Sequence, residues 1–394
     1  NILFILKQFP RYGGVEKMTI TLSNSLVKIG YNVCILSLFK GNKCEYMSRL
    51  DSKVVCLNMP NEKLFSRENR RHFLLVLQEN EIDVIINQNM DYEVNKLMLK
   101  LKGNVQGNGK YFPAFITVVH NDPFVDFKCL DTMIKGRGVK NVLKRMLKPI
   151  YQVYIHNVVR RSYIMASLVS DKMVVLSKSY VSSCAELSRC EYEKIIAIPN
   201  GFNVDDKVDG LFLNRKKLLY VGRLVETQKK ISELINIWKY LCEEFLDWDL
   251  LIVGDGPDVG IYKSLVKSEN IKNVYFEGST NSPEYYFNQS TVVCLTSESE
   301  GFPMVLIEGM KYGCIPICYD SFSAVDDIPL FNDGVNGYVI PFNKQNEYIC
   351  KLRYLMSLDD TSLCYMRNNA IKKSELYDIN KVVFEWEKLF NELI

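Results

Sequence analysis

The sequence predicts an α/β chain of two doubly wound, Rossmann-like domains facing each other across a cleft, and three observations carry that prediction. At ~150 residues per domain, 394 residues exceed the needs of one hydrophobic core. Short apolar runs alternate with helix-period segments along the chain, the pattern of mostly parallel sheets covered by helices. The alternation restarts after Asp205-Asp206-Lys207-Val208-Asp209-Gly210, a polar stretch suited to a linker.

The first domain is read over 1–203. Its strands are expected at 2–6, 32–38, 54–57, 83–87 and 115–119, with helices at 15–29, 67–79 and 91–101. A basic, helical insertion is expected over 121–165, after which Met173-Val174-Val175-Leu176 and Ile195-Ile196-Ala197-Ile198 resume the strands. The second domain, 204–378, shows strand-like runs at 218–221, 250–253, 274–276, 292–295 and 315–318. Val382, Val383, Trp386, Leu389, Phe390 and Leu393 stand at helical spacing, so 379–394 reads as a closing helix that crosses back to the first domain.

Composition narrows the function classes. With 47% hydrophobic and 24% charged residues and unclustered Gly and Pro, the chain is globular rather than disordered, collagenous or coiled-coil. Twelve cysteines without CxxC spacing read as buried free thiols of a reducing cytoplasm, not as disulfides or a zinc site. No window reaches the ~18 to 20 apolar residues of a membrane span. The start Asn1-Ile2-Leu3-Phe4 lacks the basic region and cleavage site of an export signal. Residues 1–200 carry 29 Lys+Arg against 17 Asp+Glu, and residues 201–394 carry 20 against 29, so one half is basic and the other acidic.

Ligands of doubly wound sheets bind at the carboxyl ends of strands, so the loops after strands hold the candidates. Gly13-Gly14-Val15-Glu16 follows the first strand; it lets backbone approach a phosphate, or simply makes a tight turn. Val221-Gly222-Arg223 ends a strand, and Lys229-Lys230 opens the next helix, which places cations beside one loop where a leaving diphosphate needs them. Each of these cations also reads as a surface residue, Lys230 most of all. Gly254 and Gly256 either leave room for a base or ribose or form a plain turn. Glu300 precedes a helix with Pro303 at its first position, and Glu308 lies on the second turn. Two carboxylates so placed suit two polyols with a diphosphate between them; a capping role for Glu300 and a solvated Glu308 are the alternatives.

These segments, with Pro199-Asn200-Gly201 and Asp333-Gly334-Val335-Asn336-Gly337, resemble in the same order the retaining glycosyltransferases of family four (glycosyl transferases group 1), which have the GT-B fold. The resemblance covers nearly the whole chain and is strongest over 199–342. It implies that Arg223 and Lys229 bind a donor diphosphate and that Glu300 contacts the transferred sugar. It also implies that amides near Gly301 and Phe302 touch phosphate or sugar, that Glu308 holds the ribose, and that Gly14 approaches the donor from the first domain. His120, in Val118-Val119-His120-Asn121-Asp122, matches a position beside sugar and acceptor. Glu300, Arg223, Lys229 and His120 are thus the candidate catalytic residues; Gly14, Gly222, Gly254, Gly256, Gly301, Phe302 and Glu308 are the donor-binding ones. Lys230 competes with Lys229, because six residues from Arg223 is a spacing of only some members. Gly309 stands where the family usually has Ala.

The implied activity is hexosyl transfer from a UDP or GDP sugar to a hydroxyl of a glycan or lipid-linked glycan, in cell-surface polysaccharide biosynthesis. The alternatives are a GT-B nucleotide-sugar epimerase and a non-catalytic GT-B partner subunit. No Asp-x-Asp motif accompanies the diphosphate residues, so no metal or other cofactor is expected. Lys128 to Arg161 holds nine Lys/Arg against one acid, Asp131, interleaved with apolar residues. It reads as a contact for an anionic membrane surface or as a solvated helix packed on the first domain, and a cytoplasmic or inner-leaflet location follows. Nucleic acid is a poorer partner, because the second half is acidic and carries no recognition motif.

Overall fold

The computed structural model describes residues 1–11, 13–42, 45–107, 109, 111–125, 147–203, 215–327 and 334–394. They fall into two compact units. Unit 1 holds the described residues up to Asn203 together with Asp378–Ile394, and unit 2 holds those between.

Unit 1 is built on a seven-stranded parallel sheet. Its strands are β1 (Ile2–Phe9), β2 (Val33–Lys40), β3 (Val55–Asn58), β4 (Val84–Asn87), β5 (Ala114–Val119), β6 (Lys172–Val175) and β7 (Ile195–Ala197), in the order β3-β2-β1-β4-β5-β6-β7. β1, β4 and β5 are central and covered on both faces, which is why they are nearly continuous apolar runs. β3 lies at the edge and is mostly exposed. Leu3, Ile5, Leu36, Phe73, Ile85, Leu97, Met98 and Phe115 fill one core beneath the Arg67–Glu79 and Tyr92–Gly107 helices.

Unit 2 repeats the plan with six parallel strands: β8 (Lys217–Val221), β9 (Asp249–Val253), β10 (Val274–Gly278), β11 (Val292–Leu295), β12 (Ile315–Asp320) and β13 (Tyr338–Pro341). Their order is β10-β9-β8-β11-β12-β13. In both sheets the winding direction reverses beside the first strand, between β1 and β4 and between β8 and β11. Such a reversal parts the loops on its two sides and opens a crevice at the strands' carboxyl ends.

The closing helix runs Ile379–Leu393 and belongs to unit 1. Ile379, Val382, Val383, Trp386, Leu389 and Phe390 are its buried face, and the Asp378 side chain caps its start by accepting from Asn380 N at 2.9 Å. Gly201 is required for its approach, since a Cβ there would stand 2.9 Å from Ile379 Cα. Within the basic insertion, Lys148–Val169 is a helix of 22 residues. Lys128, Lys135, Arg137, Lys140, Lys144 and Arg145, the 205–210 linker and Asp333 lie outside the described residues, as do Cys44 and Cys129. β13 was not among the expected strands. Of the described cysteines, Cys34, Cys184, Cys242, Cys294, Cys314 and Cys318 are buried, whereas Cys56 and Cys350 are exposed, against the expectation of uniform burial. Both sit where the period turns outward, on the edge strand β3 and on the Gln345–Ser357 helix.

Candidate functional site

The loops after β8 and β11, on either side of the unit 2 reversal, are bonded together. Lys229 Nζ contacts both oxygens of Glu300, at 2.7 and 2.8 Å, and Ser297 Oγ donates to Glu300 Oε1 at 2.6 Å. Lys230 Nζ meets Glu298 Oε2 at 2.9 Å. Backbone joins in: Glu298 N donates to Gln228 O at 2.7 Å, Gln228 Nε2 to Ser299 O at 3.2 Å, and Thr296 Oγ1 to Lys230 O at 3.0 Å. The Lys229 and Glu300 side chains keep only 18% and 10% of their exposure, so this pair is shielded from water far better than a surface ion pair.

Two expectations change here. Lys229 does not open a helix; it closes the short Glu226–Lys229 turn, and Lys230 follows in a left-handed conformation (φ 50°, ψ 45°) before the Ile231–Lys239 helix begins. Lys230 is not a surface lysine, because its ammonium is drawn under the loop by Glu298. Lys229 is the one that reaches Glu300.

Arg223 is exposed at the mouth of the same loop, and its carbonyl accepts from Tyr220 Oη at 3.2 Å. Gly222 (φ 156°) precedes it. Gly254 and Gly256 have a tighter reason to be glycine than room for a base: a Cβ on Gly254 (φ 140°) would overlap Gly222 O, and one on Gly256 would overlap Leu224 O. The loops after β8 and β9 run backbone against backbone, joined by Gly222 N to Val253 O at 3.0 Å and Leu224 N to Asp255 O at 2.9 Å. These glycines shape the loop that carries Arg223.

Pro303 stands one residue before the Met304–Lys311 helix rather than at its first position, and Glu308 is on the second turn, partly exposed. Gly301 is partly buried; Phe302 is buried, its ring 5.5 Å from that of Tyr377, which leaves its backbone rather than its side chain for a ligand. Gly309 also gains a reason: a Cβ would lie 2.9 Å from Val293 Cγ1 of β11, so glycine lets the helix sit close on the sheet. Residues that the sequence reading missed are Tyr220, Ser297 and Glu298. Burial holds the Tyr220 phenol well above its ordinary range, with the Glu300 carboxylate nearby adding to the effect.

Unit 1 places Gly14 and His120 at the carboxyl ends of its own strands. Gly14 begins the Gly14–Lys28 helix, with open space where a Cβ would point, whereas the Glu16 carboxylate fills the corresponding space at Gly13. His120 follows β5 and pairs through Nε2 with Gln88 Oε1, beyond β4. Both line a recess with Thr19, Asn200, Val382 and Trp386. Desolvation there pushes His120 down to about 4, so its imidazole is neutral at pH 7.

Residues 202–374 match the family model described as glycosyl transferases group 1. Over this span the chain is similar to that family. Across 388 residues it is 26% identical to an uncharacterized glycosyltransferase of Haemophilus influenzae, covering 98% of this chain and 99% of the relative. It is 28% identical over 243 residues to the amylovoran biosynthesis glycosyltransferase AmsD of Erwinia amylovora, covering 59% of this chain and 66% of that one. Anabaena HepE, solved in complex with UDP-glucose, superposes with a TM-score of 0.74 at 14% identity, covering 100% of this chain and 99% of HepE. The architecture is GT-B, and the chain is a glycosyltransferase.

Proposed function

We propose that the chain is a retaining family-four enzyme that moves a hexose-type sugar from a nucleoside diphosphate donor to a hydroxyl of a glycan or lipid-linked glycan, in cell-surface polysaccharide assembly. The observation that carries this reading is the Lys229–Glu300 pair, which joins the segment after β8 that also carries Arg223 to the β11 loop ahead of the Met304–Lys311 helix. The relatives support the substrate class: AmsD is named for amylovoran biosynthesis, and HepE holds UDP-glucose.

In this reading the diphosphate rests against Arg223, Lys229 and the backbone around Gly301 and Phe302 at the start of that helix. Lys229 gives up one of its two carboxylate contacts to a phosphate oxygen, and Glu300 accepts from a sugar hydroxyl. Glu308 accepts from the ribose. The C1–O bond to phosphate breaks while the acceptor oxygen attacks the same face; the departing phosphate oxygen takes the acceptor's proton, and configuration is kept. The protein stabilises the growing negative charge and fixes geometry. Arg223, Lys229 and the helix start supply the positive charge, so activity is expected to persist in EDTA.

Donor-only incubation tests this. UDP-, GDP- and ADP-hexoses are followed by proton NMR with and without EDTA. One of them should be hydrolysed slowly to the sugar of unchanged anomeric configuration, with EDTA harmless and Glu300→Ala inactive. An epimerised sugar, or no turnover of any donor together with no binding, would refute the proposal.

A further inference from the structure

We propose that Asp258 and Glu226 are the positioning residues of Lys229: their two carboxylates pin the turn that carries it, so that its ammonium stays at Glu300. A lysine side chain is long and freely rotating, so its charge is fixed only if both its backbone and its tip are held. Glu300 holds the tip. The backbone cannot hold itself. The Glu226–Lys229 turn has four residues, far short of the ~12 at which a helix begins to persist alone, and left-handed Lys230 parts it from the next helix. Val225 occupies the N-cap of the turn and Lys230 the N-cap of the Ile231–Lys239 helix, and neither side chain has an acceptor for the unpaired N–H groups that follow.

Two carboxylates fill both gaps from elsewhere. Asp258 stands at the N-cap of the Val259–Ser268 helix, yet its side chain makes no capping bond there. Its Oδ2 accepts instead from Glu226 N at 2.8 Å, across 32 residues of sequence, while Asp258 N donates to Leu224 O at 3.4 Å. The Glu226 carboxylate then reaches forward past Lys229 and accepts from Ser232 N at 3.2 Å and from Ser232 Oγ. The turn is thereby tied at its start to the loop after β9 and beyond its end to the Ile231–Lys239 helix. On its remaining side the β11 loop bonds Gln228 and Lys230. With either carboxylate removed, an N–H is left without its acceptor and the turn is free to carry Lys229 away from Glu300. What this does for a donor rests on the reading of Lys229 proposed above.

The test follows the lysine itself. The full chain is pulsed with acetic anhydride, and acetylation is read site by site by mass spectrometry. Lys229, at 18% exposure and paired with Glu300, should react slowly in wild type. Asp258→Ala and Glu226→Ala should each speed its labelling about fivefold or more. Asp258→Asn and Glu226→Gln keep an acceptor oxygen and should restore slow labelling, and Lys311, buried in the same unit, should stay slow throughout. In calorimetry with whichever of UDP, GDP and ADP wild type binds, the two Ala variants should lose about threefold or more in affinity, and that loss should vanish in a Lys229→Ala background. Unchanged Lys229 labelling in both Ala variants, no rescue by Asn and Gln, an equal rise at Lys311, or an affinity loss that persists without Lys229 overturns the proposal. Should wild type bind none of the three nucleotides, the donor reading falls, and the labelling alone decides the positioning.

Discussion

Lys229 and Glu300 illustrate how much one pair decides. Glu300→Gln keeps the shape and removes a negative charge from beside Lys229, so kcat should fall by about 100-fold or more while Tm moves little. Lys229→Ala takes the ammonium away from a shielded carboxylate, and should lower stability by roughly 1–3 kcal/mol as well as activity, read together by thermal melts and turnover. His120 carries a pH signature. Its native pKa of about 4 lies below the ~6.5 of an unfolded histidine, so between those values the unfolded chain binds the proton first. Wild type should therefore lose up to about 3 kcal/mol as pH falls from 6.5 to 4, relative to His120→Asn, in urea melts across that range. The cations and carboxylates were legible because charge just after an apolar run has few structural uses. Tyr220 and Ser297 were not, because a hydroxyl within a strand run or a loop carries no pattern that separates a support from a surface.

Elements explain the glycines. In Gly254 the left-handed φ and the opposing Gly222 carbonyl both forbid a side chain, so Gly254→Ala should destabilise by about 2 kcal/mol or more and weaken nucleotide binding through the Arg223 loop. Gly309→Ala gains helix propensity of ~1 kcal/mol but must displace Val293 on β11; thermal melts should show a net loss. From sequence, these residues suggested ligand space or no purpose. Backbone meeting backbone between distant loops leaves no periodic trace, and only packing shows it. β13 escaped because Tyr338-Val339-Ile340 is a three-residue run just after a turn, too short for a period. The Ile379–Leu393 helix, with its stripe spread over four turns, was read almost to the residue.

At the scale of the molecule, the two parallel sheets follow from the repeated alternation of apolar runs and helix periods, and the strand order places the Arg223, Lys229 and Glu300 loops at a winding reversal. That order is invisible in sequence, since an apolar run can mark a covered strand but does not name the strands beside it. The chain's end is structural in unit 1: Trp386 is buried beside Phe390, and Trp386→Ala should cost about 3–5 kcal/mol, measured by unfolding in urea. The central claim concerns a nucleoside diphosphate held by Arg223 and Lys229. Calorimetric titration of UDP, GDP and ADP into wild type and Arg223→Ala tests it most directly. One of the three should bind wild type and lose about tenfold or more in affinity in the variant, near 1.4 kcal/mol. Equal affinity in both proteins, or no heat from any of the three, would contradict it.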